Sequence, residues 1–142
     1  MRFKLILGVV LGFALIIQFI PANQTNPKVT LDVAVPGEAG DILERACYDC
    51  HSNETTWPWY GYVAPISWML AHHVNEGREY LNFSHWDGIA GYDSVETGNE
   101  IIEVLETGEM PLAGYLRLHP EARLTESEIE TLIAWARTLR EP

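Results

Sequence analysis

Cys47-Tyr48-Asp49-Cys50-His51 sets two thiols three residues apart and an imidazole directly after the second. A C-x-x-C-H run reads as a covalent haem attachment site: each thiol adds to one vinyl group, and the histidine turns back onto the iron. These are the only two cysteines in 142 residues, so the motif accounts for every thiol in the chain. Other chemistries use a C-x-x-C pair, namely a redox-active dithiol, half of a zinc site or a plain disulfide. The dithiol wants a strand ahead of the motif inside a βαβ pattern, and no strand pattern precedes Cys47. Zinc wants two further ligands, for which His72 and His73 are the available pair. The closing histidine and an export element at the N-terminus favour haem.

An iron held by His51 alone keeps a sixth position open, and a second protein ligand there would make an electron carrier. Met110 is the leading candidate, because it lies in a loop directly before Pro111 where its sulfur can swing to the iron. Met69 instead belongs to an apolar helical stripe. His72 is the runner-up, on the helix after an aromatic-rich loop; His73 points about 100° away around that helix, so only one of the two can face a haem. His85 and His119 read as surface or hydrogen-bonded structural histidines.

The elements that must position these groups follow from the patterning. Residues 1–22 are an N-terminal signal anchor: Arg2 and Lys4 precede an apolar run from Leu5 to Ile20 that is long for a cleaved signal and short for a bilayer span, with no A-x-A site after it. A retained single-pass inner-membrane anchor is favoured over a cleaved periplasmic form, with the positive flank on the cytoplasmic side and the rest exported. Residues 23–40 read as a tether, of which Val29 to Val35 can pack as an extended segment. Residues 41–142 are the haem domain. Asp41 with Glu44 suggests a helix start, and Ile42, Leu43 and Ala46 give it one apolar face leading into the motif. Pro58, Gly61 and Pro65 break the next stretch into turns, crowded with Trp57, Trp59, Tyr60, Tyr62 and Trp68 as a pocket wall or a satellite cluster. A helix is expected from Ile66 until Gly77, then a Gly- and Asp-rich loop over 81–93. Another runs from Ser94 to Thr107 with Gly108 as its stop. The last starts at Thr125 with Glu128 as a capping box, and Ile129, Leu132, Ile133 and Ala136 recur at helical spacing. The fold class is all-α.

The net charge of −11 excludes some partners. Without Arg2 and Lys4, seven basic residues stand against twenty acidic ones, or −13 for the exported part. That argues against nucleic acid and against attraction to an anionic membrane, and suits steering toward a basic redox partner.

The chain resembles the bacterial haem-binding domain family, small exported proteins with one C-x-x-C-H motif. The resemblance rests on CYDCHSNETTWPWY at 47–60, APISW at 64–68, HHVNEGREYLNFSHW at 72–86 and GEMPLAGYLRLHPEARLT at 108–125. It implies a cytochrome c-like, all-helical haem domain behind a membrane segment, with one covalent haem c per chain. Cys47 and Cys50 would be the thioether attachments and His51 the proximal ligand. Met110 occupies the place of the methionine ligand in cytochrome c-like domains, whereas the stretch begun by His72 has no role assigned to it.

Three functions are then expected in order. The first is a membrane-tethered periplasmic monohaem cytochrome passing single electrons, not an enzyme. The second is a haem-based sensor or peroxidase-like enzyme with an open sixth site and His72 as distal acid. The third is a haem-bearing accessory subunit of a membrane complex. Ligand addition separates the first two, and co-purification the third.

Overall fold

The computed structural model describes residues 2–86 and 92–139. Its regular elements are helical: α1 (Arg2–Ile16), α2 (Glu38–Ala46), α3 (Tyr48–His51), α4 (Ile66–Tyr80), α5 (Tyr92–Thr107) and α6 (Glu126–Thr138), with 3-10 turns at Ile17–Phe19, Trp59–Tyr62, Tyr115–Arg117 and Pro120–Ala122. The all-α expectation holds, and among the described residues extended pairing is confined to one bridge between Leu31 and His85. α5 packs on α6, α2 packs on α6 and leads into α3, and α3 lies against α4. The apolar spacings of the sequence supply the contact: Ile42 and Leu43 of α2, Ile101 and Leu105 of α5, and Leu132, Ile133 and Ala136 of α6 share one core with Phe83 and Val33.

Helix ends follow their local chemistry where that chemistry is strong. Thr125 accepts the Glu128 N–H at 3.3 Å, and the Glu128 carboxylate accepts the Thr125 N–H at 2.8 Å, so the expected capping box starts α6. Gly108, with φ 70°, stops α5 where expected. Three expectations are corrected. α2 begins at Glu38 behind Gly37, one turn ahead of Asp41, because burial of Ala39 beside Ile42, Leu43 and Ala46 extends the core face upstream. It does not run unbroken into the motif: Cys47, at φ −123° and ψ −33°, separates α2 from α3. α4 passes through Gly77 to Tyr80, since a residue without a side chain is what its neighbour there allows.

α1 buries no residue, and Arg2–Phe19 is long and apolar enough to cross a membrane, a property that export signals share. The segment expected as a tether lies along the domain instead. Asn26 donates to the Thr55 carbonyl at 2.9 Å, Thr30 N–H to Ser84 O at 3.1 Å and Val33 N–H to Phe83 O at 2.9 Å, and Leu31 O accepts the Trp86 N–H at 2.9 Å. Val33 is buried. The packing expected of Val29 to Val35 is therefore present and reaches further upstream, because a strap whose backbone groups find partners loses little by leaving water. Residues 87–91 of the loop expected over 81–93, and residues 140–142 of the domain expected to 142, lie outside the described residues.

Candidate functional site

One turn of chain carries all three motif groups. The Cys47 carbonyl accepts the N–H of Cys50 at 3.2 Å and of His51 at 2.9 Å, so two thiols and an imidazole project from a single tight loop. Both cysteines are free and half-buried. Desolvation, with the Cys50 thiol as a smaller influence, pushes the Cys47 thiol up to about 12; desolvation and then the Asp49 carboxylate push Cys50 up to about 11. Such thiols stay neutral at ordinary pH, the opposite of the depressed values that make a redox dithiol reactive. The zinc alternative gains nothing from His72 or His73, which are exposed on α4, His72 lying 3.6 Å from Glu76. Among the described residues no three His, Cys, Asp or Glu side chains are grouped to hold a metal ion.

His51 is set differently from those two histidines. Its Nδ1 lies 3.1 Å from the Leu81 carbonyl, and burial lowers its pKa against the raising effect of the Leu81 and Gly77 carbonyls. A neutral ring with Nδ1–H donating to a carbonyl keeps Nε2 as the ligating atom, the arrangement that orients metal-binding histidines. Phe83 packs edge-on against the ring, with centroids 6.3 Å apart, and its N–H donates to the His51 carbonyl at 2.7 Å.

The floor under the motif is α4. A Cβ at Gly77 would stand 2.8 Å from the Cys50 carbonyl oxygen, so only glycine lets the helix come this close. The adjacent Arg78 binds four oxygens: Ser52 O at 2.6 Å, Thr25 O at 2.7 Å, Thr55 Oγ1 at 2.8 Å and Asn26 Oδ1 at 3.2 Å. It ties the exit of the motif to the strap. Buried Asn53 extends the frame, its N–H donating to Ser84 Oγ and its side chain to Lys28 O, both at 3.1 Å. Sequence reasoning missed Arg78 and Gly77 as parts of the site, since an arginine is ordinary on a helix and the glycine reads as a helix stop.

Asp49 faces the opposite wall. Its carboxylate accepts the Thr56 N–H at 2.9 Å and the Tyr115 hydroxyl at 2.7 Å. Tyr115 stacks on His119, centroids 4.1 Å apart and 7° between planes, and His119 Nε2 lies 2.6 Å from Tyr60 Oη. Burial first, then the Asp49 carboxylate, raise the pKa of both tyrosines. With Cys50, Leu70 and Val74 these residues line a small, partly open cavity of about 10 Å³. His119, expected at the surface or in a structural hydrogen bond, is thus hydrogen-bonded beside Cys50; the four-residue spacing from Tyr115 was its only local signal. Of the aromatic loop, Tyr60 joins this wall, while Trp59 and Tyr62 point to solvent.

Met110 is half-buried in the bend after α5, its N–H donating to Val104 O at 3.3 Å. It opens the connection that carries Tyr115 and His119 to Asp49. The structure therefore gathers Cys47, Cys50 and His51, and leaves His72 on the outside.

Residues 12–138 match the family model described as Haem-binding domain. The chain belongs to that haem-binding family. No curated protein and no solved structure matches it. The donor set fits the family's cofactor: two free, neutral thiols beside an imidazole whose Nδ1 is engaged suit a haem, and suit a hydrated cation poorly.

Proposed function

We propose that the protein is a membrane-tethered periplasmic monohaem c-type cytochrome, an electron carrier rather than an enzyme. In this reading Cys47 and Cys50 form the thioethers, His51 is the proximal ligand and Met110 the sixth. The observation that carries it is the Leu81 carbonyl 3.1 Å from His51 Nδ1, on the turn that also holds both free thiols. The haem supplies reversible one-electron exchange at iron. The chain supplies position: Leu81 O sets the tautomer, Phe83 limits ring rotation, and Asp49, Tyr115 and His119 form a wall beside Cys50. Further support comes from α2, which leads into the motif and packs on α6, so that the shared core fixes the entry to the turn. The apolar stretch Arg2–Phe19 would be the anchor. The acidic exported part favours a basic redox partner.

The test is the absorption spectrum of oxidised and reduced protein, made with a c-type maturation system, for the parent and Met110→Ala. A weak far-red band in the oxidised parent, lost in the variant, and a reduced parent indifferent to carbon monoxide are expected. A parent that binds carbon monoxide, with a spectrum Met110→Ala leaves unchanged, would overturn the carrier. One observation favours that second reading, an open sixth position: the Tyr60 and His119 pair, 2.6 Å apart beside Cys50, is a hydrogen-bonding group of the kind that acts on a bound small molecule. His72, exposed, does not serve it.

A further inference from the structure

The end of the apolar stretch is fastened to one particular part of the domain. Gln18 reads the backbone of Ala64 in both directions, its carboxamide oxygen accepting the Ala64 N–H at 2.9 Å and its nitrogen donating to the Ala64 carbonyl at 3.1 Å. Trp68 Nε1 donates to the Ile20 carbonyl at 3.1 Å, and Gln24 donates to the Gly61 carbonyl. The exit of α1 is therefore pinned against residues 61–68.

Among the described residues, that same region holds the largest group of exposed apolar side chains outside α1 and its 3-10 turn. Trp59 is 80% exposed and Tyr62 66%, and Val63, Ile66 and Met69 are exposed beside them, Ile66 and Met69 one turn apart on α4. The inner face of α4 is a different stripe, Ser67, Ala71 and Val74. Among the described residues, the other large apolar side chains exposed beyond Ile20 are scattered at Leu31, Tyr80, Leu112 and Leu118. Charge marks the region too. Between Glu54 and Glu76 there is no Asp, Glu, Lys or Arg, in a chain with twenty acidic residues. An acidic body is repelled by anionic headgroups, so an uncharged face is where it can approach a bilayer at least cost. Aromatic rings with a polar tip settle at the headgroup level, and contiguous apolar patches mark partners.

We propose that residues 59–69 form a membrane-docking face: Trp59, Tyr62, Val63, Ile66 and Met69 enter the interfacial layer of the bilayer that α1 crosses. The domain then lies against the membrane in one orientation, with Tyr60, between the docked rings, turned inward to His119 and the site. This rests on the reading of Arg2–Phe19 as a span. The occupant is lipid because the patch continues from that span, and the attraction is apolar rather than electrostatic.

Photo-crosslinking tests it on the full, haem-loaded chain in phosphatidylcholine vesicles containing a phosphatidylcholine with a diazirine on the acyl chain near the headgroup. Mass spectrometry is expected to find lipid adducts on α1 and on the 59–69 segment, with none at Tyr80 or Leu118, equally exposed apolar side chains elsewhere. Tyr80 is about 21 Å from Ile66 along α4. Trp59→Ser with Tyr62→Ser, both at exposed positions, should lose the adducts of the segment and keep those of α1. Adducts confined to α1 would overturn the docking face while leaving the anchor standing, whether solvent or another protein covers it. Absence of adducts on α1 as well would remove the anchor and the proposal together. Adducts equally at Tyr80 and Leu118 would mean unspecific adsorption and would also overturn it.

Discussion

Around His51, bonds arrive from several segments: Leu81 O at the ring, Phe83 N–H on its carbonyl, Arg78 on Ser52, Ser84 on Asn53, and Gly77 against Cys50. Around Met110, in the sixth position of the proposed cytochrome, the chain offers the stop of α5 and a backbone hydrogen bond to Val104. The two sides thus do different work. An imidazole must have its tautomer and plane set by neighbours before it can ligate, so its side is framed by polar contacts. A thioether is flexible and polarisable and needs a backbone in the right place more than a fixed rotamer.

This contrast can be broken at graded points. Cys47→Ala with Cys50→Ala should abolish covalent haem, read as loss of the haem-stained band on a denaturing gel; a band that survives would place attachment elsewhere. Arg78→Met strips the motif exit and the strap of a charged donor and should lower unfolding free energy by about 2–3 kcal/mol in urea titration. A change of only a few tenths would mean the frame holds without it. Gly77→Ala should cost about 1–3 kcal/mol by overpacking. On an open helix the same change would gain about 1 kcal/mol, so its sign tests the contact with Cys50. Thr125→Ala, at the start of α6, should cost about 1 kcal/mol through loss of the cap and calibrates the scale. Met110→Ala should be the mildest, within about 0.5 kcal/mol for the chain without haem. A loss there as large as that of Arg78→Met would show the sixth side to be as rigidly framed as the proximal one.

What was legible beforehand was local. The C-x-x-C-H run, the Thr125 and Glu128 cap, the Gly108 stop and the apolar stripe of α6 each declare themselves within a few residues. The harder parts failed where burial outweighs local propensity. Asp41 with Glu44 was a plausible start for α2, yet Ala39 found core to fill and the helix began at Glu38. Gly77 resembled a stop, because a glycine that lets two backbones touch and one that ends a helix are the same letter.

By itself the sequence determined the donor types gathered in the turn at 47–51, the all-α class, the acidic balance of the residues after the apolar stretch and that stretch itself. Each depends on residue types and short spacings. Tertiary structure decided that residues 24–33 lie as a strap rather than a free tether, that Arg78 gathers Thr25, Asn26, Ser52 and Thr55, and that Asp49, Tyr115, His119 and Tyr60 form one wall beside Cys50. It also left His72 outside. These are contacts between segments tens of residues apart, and they follow from which surfaces the packed helices bring together, a choice made by burying the shared core and satisfying its polar groups rather than by any local pattern.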